Sequence, residues 1–149
     1  MTNTTKSTTG VVRILLADDH TVMRAGLRLL LERHETFEVI GEAADGREAV
    51  QIAAEQKPAV VVMDVAMPHL NGVEAARQIL SRAPDTAIVM LSMHSDESYV
   101  LRSLKAGARA YLLKDSAEAD LIAGVDVGVH AAVSRPHRAA RAHCRHGDC

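Results

Sequence analysis

Three short apolar runs in this chain end in charge, and a fourth ends in a hydroxyl. Leu15-Leu16-Ala17 runs into Asp18-Asp19, Val60-Val61-Val62-Met63 into Asp64, and Ala110-Tyr111-Leu112-Leu113 into Lys114; Ala87-Ile88-Val89-Met90-Leu91 runs into Ser92. Continuous apolar runs of this length read as strands buried on both faces of a parallel sheet. In an open α/β sheet the site lies beyond the carboxyl ends of the strands, so these five residues are expected to converge there. Three carboxylates in one place repel one another unless a cation sits among them. The set therefore predicts a divalent-cation site. Mg2+ (or Mn2+) fits it, because Mg2+ takes oxygen ligands, keeps several waters and shares one or two carboxylates with a phosphate.

Each residue also has a plainer reading. Asp18 and Asp19 could cap a following helix. Asp64 precedes Met67-Pro68 and Asn71-Gly72, which force a turn. A carboxylate in such a loop is exposed and able to act as a nucleophile, or is simply the first residue of a loop. Lys114 can pair with Asp64 and then with a phosphoryl oxygen, or be an ordinary surface lysine. Ser92 can donate to a phosphoryl oxygen or serve a turn. Tyr111 is one of two tyrosines in the chain: a mobile aromatic coupled to Ser92, or a half-buried core ring. What favours the chemical readings is order: acid pair, acid, hydroxyl, lysine, at the ends of runs one, three, four and five.

The elements that must hold these residues alternate in type. Strands are expected over Val11–Ala17, Phe37–Ala43, Ala59–Met63, Ala87–Leu91 and Ala110–Leu113. Helices are expected over Thr21–Glu32 and Arg47–Gln56, and from Asn71-Gly72 to about Arg82. A fourth starts at a Ser95 or Asp96 cap and stops at Ala106-Gly107; a fifth runs from Ser116 to about His130. Five βα units specify a parallel sheet between two helical layers. The second strand carries no site residue, as befits an edge.

The composition sets outer bounds. The 149 residues suit one domain, and 48% of them are apolar, enough for an aliphatic core. The net charge of −2 is uneven: residues 131–149 carry four Arg against one Asp, leaving the body acidic. An acidic body argues against nucleic-acid binding by the main domain. Both cysteines, Cys144 and Cys149, lie in the last six residues, so no disulfide framework holds the core. No apolar run approaches a membrane span and no signal peptide is visible, which makes the cytoplasm the expected compartment. The domain plan is a Thr-rich disordered leader at 1–10, a folded unit at 11–130 and an irregular basic tail at 131–149. His137, His143, Cys144, His146 and Cys149 in the tail could bind a soft metal, though their spacing fits no known motif.

At Asp18-Asp19-His20, Met63-Asp64-Val65-Ala66-Met67-Pro68, Leu91-Ser92 and Lys105 to Asp115, the chain resembles the receiver domain of a two-component response regulator. The resemblance covers roughly Val11 to Gly124. Lys114 followed by Asp115, and Val22-Met23-Arg24-Ala25-Gly26-Leu27, are similar to receivers that precede a LuxR-type helix-turn-helix DNA-binding domain. It implies a flavodoxin-like, doubly wound five-stranded parallel sheet of order 2-1-3-4-5 with five helices. It also implies that Asp64 accepts a phosphoryl group from a sensor histidine kinase. Asp18, Asp19, Asp64 and the Ala66 backbone carbonyl would hold Mg2+, with Lys114 and Ser92 on the phosphoryl oxygens. Ser92 and Tyr111 would switch the face made by the fourth helix, fifth strand and fifth helix, which is also a face for a homodimer. Ala66 and His94, two residues past Asp64 and Ser92, would tune the phosphoryl lifetime.

Two rivals are a Mg2+-dependent phosphatase or hydrolase on a similar sheet, and a stand-alone interaction module. The hydrolase needs a second acid, commonly two residues past the nucleophile, where this chain has Ala66. A transcription regulator of this kind would bind DNA through an output domain, which the sequence after residue 124 does not resemble. Val125–His130 reads as a poor amphipathic helix, and the Arg-, Ala- and His-rich text beyond it points to a shifted reading frame or a truncation near residues 123–130.

Overall fold

The computed structural model describes residues 10–93 and 97–133. Five strands, β1 (Val12–Ala17), β2 (Phe37–Ala43), β3 (Val60–Asp64), β4 (Ala87–Ser92) and β5 (Ala110–Leu113), alternate with five helices. The helices are α1 (Thr21–Glu32), α2 (Gly46–Gln56), α3 (Gly72–Arg82), α4 (Glu97–Lys105) and α5 (Ala117–Val133), the last entered through a 3-10 turn at Lys114–Ser116. The strands form one parallel sheet in the order β2-β1-β3-β4-β5. β2 is an edge, as its lack of a site residue implied.

Period-two alternation in the three central strands divides the core. Ile14, Leu16, Val60, Val62, Val89 and Leu91 pack with Leu27 and Leu31 of α1 and Leu121 and Val125 of α5. Leu15, Val61, Met63, Ile88 and Met90 pack on the other face with Ala49 and Ala53 of α2 and Val73, Ala76 and Ile79 of α3. Each fully buried aliphatic side chain contributes about 1.5–3 kcal/mol, so the double layer holds the strand ends rigidly without aromatic mass.

The caps separate structural acids from available ones. Asp45 caps α2 by accepting from Glu48 N at 2.8 Å, while the Glu48 carboxylate accepts from Ala44 N. Asn71 caps α3 through Glu74 N. At α1 the cap residue is His20, with no side-chain capping bond. The capping role open to Asp18 and Asp19 is thus not the one they fill.

Two features differ from expectation. Asp64 is the last residue of β3 and only 2% exposed, not an exposed loop residue: β3 pairs with β1 and β4 on both sides, which leaves its end no room. The fifth helix continues to Val133, through the expected boundary at 130. Its weak apolar pattern arises because it lies close to the sheet on glycine. A Cβ at Gly124 would stand 2.8 Å from Leu112 Cδ1, so small size replaces hydrophobic bulk on that face.

Candidate functional site

Register brings the strand ends together. Ala17 pairs with Met63, so Asp18 lies alongside Asp64; Asp64 pairs with Leu91, one residue before Ser92; Ser92 pairs with Leu113, one before Lys114. Asp18, Asp64, Ser92 and Lys114 are all buried. Lys114 reaches across β4 to place Nζ 2.9 Å from Asp64 Oδ2 and 3.3 Å from Asp18 Oδ2.

Charge in this pocket does not balance. One ammonium faces two buried carboxylates, with Asp19 half-exposed beside them. Burial pushes the Asp64 carboxyl up to about 6; the Lys114 hydrogen bond and charge pull against this, Asp18 adds to it, and the Ala66 N–H at 3.1 Å from Oδ1 pulls down. Burial also draws the Lys114 ammonium down, but the Asp64 hydrogen bond and the charges of Asp64 and Asp18 outweigh it, so its pKa is raised and it stays a cation. Two buried oxygens, Asp18 Oδ2 and Asp19 Oδ1, accept no hydrogen bond; their nearest cationic or ring nitrogens are Lys114 Nζ at 3.3 Å and His20 Nδ1 at 3.4 Å. Carboxylate oxygens without hydrogen bonds in a buried, net-negative pocket fit a divalent cation, which would supply the missing positive charge.

Two residues that sequence reasoning did not assign belong to this site. His20 Nδ1 stands 3.2 Å from Asp18 Oδ1, 3.4 Å from Asp19 Oδ1 and 4.0 Å from Asp64 Oδ2. Its position next to the acid pair was the available signal. Arg24, on the first turn of α1, donates through Nη1 to the Asp18 backbone carbonyl and through Nε to Glu42 Oε1 at 2.8 Å. Glu42 of β2 also accepts from Arg28, and these two arginines, Arg28 first, hold its carboxyl below the ordinary range. No linear spacing shows that a helix arginine clamps the loop behind it.

Of the other expected residues, Ala66 is exposed. Tyr111 is half-buried on β5, paired with Met90 and packed against the face that carries α2 and α3. His94 and the tail residues His137, His143, Cys144, His146 and Cys149 lie outside the described residues, as does the leader at 1–9. Among the described residues no helix is long and apolar enough to cross a membrane.

Comparison with known proteins agrees with this geometry. Residues 14–126 match the response regulator receiver domain family. The chain is 42% identical over 111 residues to the uncharacterized transcriptional regulatory protein YhcZ of Bacillus subtilis, covering 74% of this chain and 52% of that one. It is 42% identical over 116 residues to the transcriptional regulatory protein DegU of Brevibacillus brevis, covering 78% and 49%. The chain thus spans about half the length of these curated relatives. The crystal structure of a LuxR-family two-component response regulator from Aurantimonas superposes with a TM-score of 0.77 at 36% identity, over 80% of this chain and 86% of that chain. The hydrolase alternative finds no support among these relatives. Sheet order, the convergence of strand ends and the match over residues 14–126 together make this chain a member of the response regulator receiver domain family.

Proposed function

We propose that Asp64 is the phosphoacceptor of this receiver and that Asp18, Asp19, Asp64 and the Ala66 backbone carbonyl hold Mg2+. The observation that carries this reading is the Asp64 carboxylate, buried at the end of β3 with Oδ2 on the Lys114 ammonium and beside Asp18 Oδ2, which accepts no hydrogen bond. The donor is the phosphoimidazole of a sensor histidine kinase. An Asp64 oxygen forms a bond to phosphorus, the P–N bond breaks, and its electron pair returns to the imidazole, leaving an acyl phosphate. Alignment and charge neutralisation supply most of the rate in such a transfer. A cation held by Asp18, Asp19 and Asp64 would supply charge neutralisation. Lys114 exchanges a carboxylate oxygen for a phosphoryl oxygen with little movement, and Ser92 donates its hydroxyl to another.

The new dianionic group then draws Ser92 and Lys114 toward itself, and Tyr111 follows, altering the face of α4, β5 and α5. That face would carry homodimer contacts, and a DNA-binding output domain would read the change in a complete regulator. The unit extends from residue 11 to the end of α5 at Val133, past the boundary at 130, between a leader at 1–10 and a basic tail, in the cytoplasm. Ala66 leaves water access to the acyl phosphate, and His94 modulates its hydrolysis.

Incubation with acetyl phosphate and Mg2+, followed by intact-mass spectrometry, tests the core of this reading. Wild type should gain one phosphoryl group and Asp64→Asn none. Equal uptake by the two proteins would remove Asp64 from the role.

A further inference from the structure

The cation pocket contains a nitrogen as well as oxygens. His20 Nδ1 and one oxygen each from Asp18, Asp19 and Asp64 all lie within 4.8 Å of one another. At roughly 2.1 Å from a shared ion, ligand atoms stand at most about 4.2 Å apart. The cluster therefore needs only a small contraction to close on one cation.

His20 Nδ1 faces two kinds of neighbour at the same distance: Lys114 Nζ at 3.2 Å and Asp18 Oδ1 at 3.2 Å. A neutral imidazole carries its proton on one nitrogen and a lone pair on the other, and in the tautomer with Nδ1 bare that lone pair enters the same space as the carboxylate oxygens. Among them Asp18 Oδ2, on a fully buried side chain, accepts no hydrogen bond. The root of the ring is fixed at both ends of its residue: His20 N donates to Asp18 Oδ1 at 2.8 Å, and the His20 carbonyl accepts from Arg24 N at 2.8 Å. The side chain itself is 64% exposed, which leaves room for waters to complete a coordination shell.

We infer that His20 is an additional metal ligand through Nδ1, and that it shifts this receiver toward first-row transition ions such as Mn2+ over Mg2+. Imidazole suits Fe2+, Ni2+, Cu2+ and Zn2+ best; Mn2+, which also takes carboxylates, accepts it more readily than Mg2+, which takes oxygen ligands and keeps its waters. Three carboxylates alone would serve Mg2+ and Mn2+ alike in ligand type; the imidazole adds the discrimination. This rests on the proposed cation site, and the test separates the two.

The test is pulsed electron paramagnetic resonance of bound Mn2+, with Mn2+ and Mg2+ affinities measured by competition, on the full chain and on His20→Asn. Asn is itself a favoured helix cap residue, so the variant keeps the start of α1. Wild type should show 14N hyperfine coupling from a directly bound imidazole, lost in His20→Asn. The Mn2+ to Mg2+ affinity ratio should fall about tenfold in the variant, the scale on which a lost ligand-shell group acts. Bound Mn2+ without nitrogen coupling, at an unchanged affinity ratio, would overturn the role of His20 and leave the acid site standing. Failure of Mn2+ to bind wild type at all would overturn the cation site beneath it.

Discussion

The two ends of the sheet bury charge in opposite ways. At the carboxyl end, Asp18, Asp64 and Lys114 are all nearly inaccessible and in mutual contact, with negative charge in excess. At the amino end, Arg109 is 6% exposed, Nη1 donates to no partner, and the charge that supports it is that of Asp85. Burial lowers the Arg109 pKa and Asp85 only partly restores it. Space does not separate the ends: a groove of about 590 Å³ lies at the amino end, lined by Lys57, Pro58, Arg82, Asp85 and Thr86 among others, and one of about 550 Å³ lies between α1 and Lys114-Asp115. The amino-end groove has room without converging reactive groups, whereas the carboxyl end has converging groups that lack a counter-charge. Unbalanced charge held by rigid strand ends, more than cavity size, marks the working end of this molecule.

The sharpest way to break that contrast is to remove the imbalance. Asp64 titrates at about 6 in the folded chain against 3.8 for an ordinary aspartate. The folded state therefore binds more protons between those values, so the cation-free protein loses stability as pH rises through 6 and regains it as pH falls toward 4. The gap corresponds to about 3 kcal/mol. Asp64→Asn, in chelator, should be more stable than wild type by up to that amount at pH 8, and the advantage should shrink toward zero near pH 4. Saturating Mg2+ at pH 8 should cancel it. Urea midpoints of the two proteins across this range are the measurement; an advantage for Asn that is flat with pH would mean that Asp64 is not strained by burial.

Much of this end could be read from the sequence, for a simple reason. A short aliphatic run that stops at a charged residue fixes both the strand and the point where it meets solvent or ligand. The ends of β1, β3 and β5, the gathering of acids there and, from the lack of such a residue, the edge position of β2 all follow from that. What could not be read depends on the third dimension. Asp64 looked like a loop residue because Met67-Pro68 ends any helix nearby, yet its pairing with Leu91 of β4 keeps it in β3. The fifth helix looked defective because hydrophobic periodicity does not score glycine, while Gly124 lets it approach Leu112. His20 and Arg24 act through a backbone reversal that brings them onto Asp18, and linear spacing is silent about such contacts.

A second way to test the carboxyl end is through the backbone that holds Asp64. Gly72 N donates to the Val65 carbonyl at 2.7 Å, and a Cβ on Gly72 would stand 2.2 Å from the Asp64 carbonyl oxygen. The start of α3 is therefore pressed against the end of β3, and no side chain fits between them. Gly72→Ala should cost about 1–3 kcal/mol, the usual range for overpacking, and should slow phosphoryl uptake because Asp64 must shift. Denaturation and acetyl phosphate uptake would be followed on the same preparation. An alanine variant with wild-type values in both would show that this close approach does not position the carboxylate.

The smallest effect is expected at the amino end, and its smallness is the point. Arg109 is a buried cation without a hydrogen bond on Nη1, so its burial is a cost that the charge of Asp85 offsets only in part. Replacing a poorly compensated buried ion by an apolar side chain of similar length is commonly neutral or stabilising. Arg109→Met should therefore stay within about 1 kcal/mol of wild type or exceed it. Its backbone N–H, which donates to the Ile88 carbonyl at 2.8 Å, is retained in the variant, so the entry to β5 is undisturbed. Phosphoryl uptake should be unchanged, since β5 still delivers Lys114 to Asp64. A loss of more than about 2 kcal/mol would instead mean that Arg109 and Asp85 form an anchor whose separation leaves a stranded charge. Both ends of the sheet would then depend on ion pairs, and the distinction between a poised end and an inert one would rest on the excess carboxylate alone.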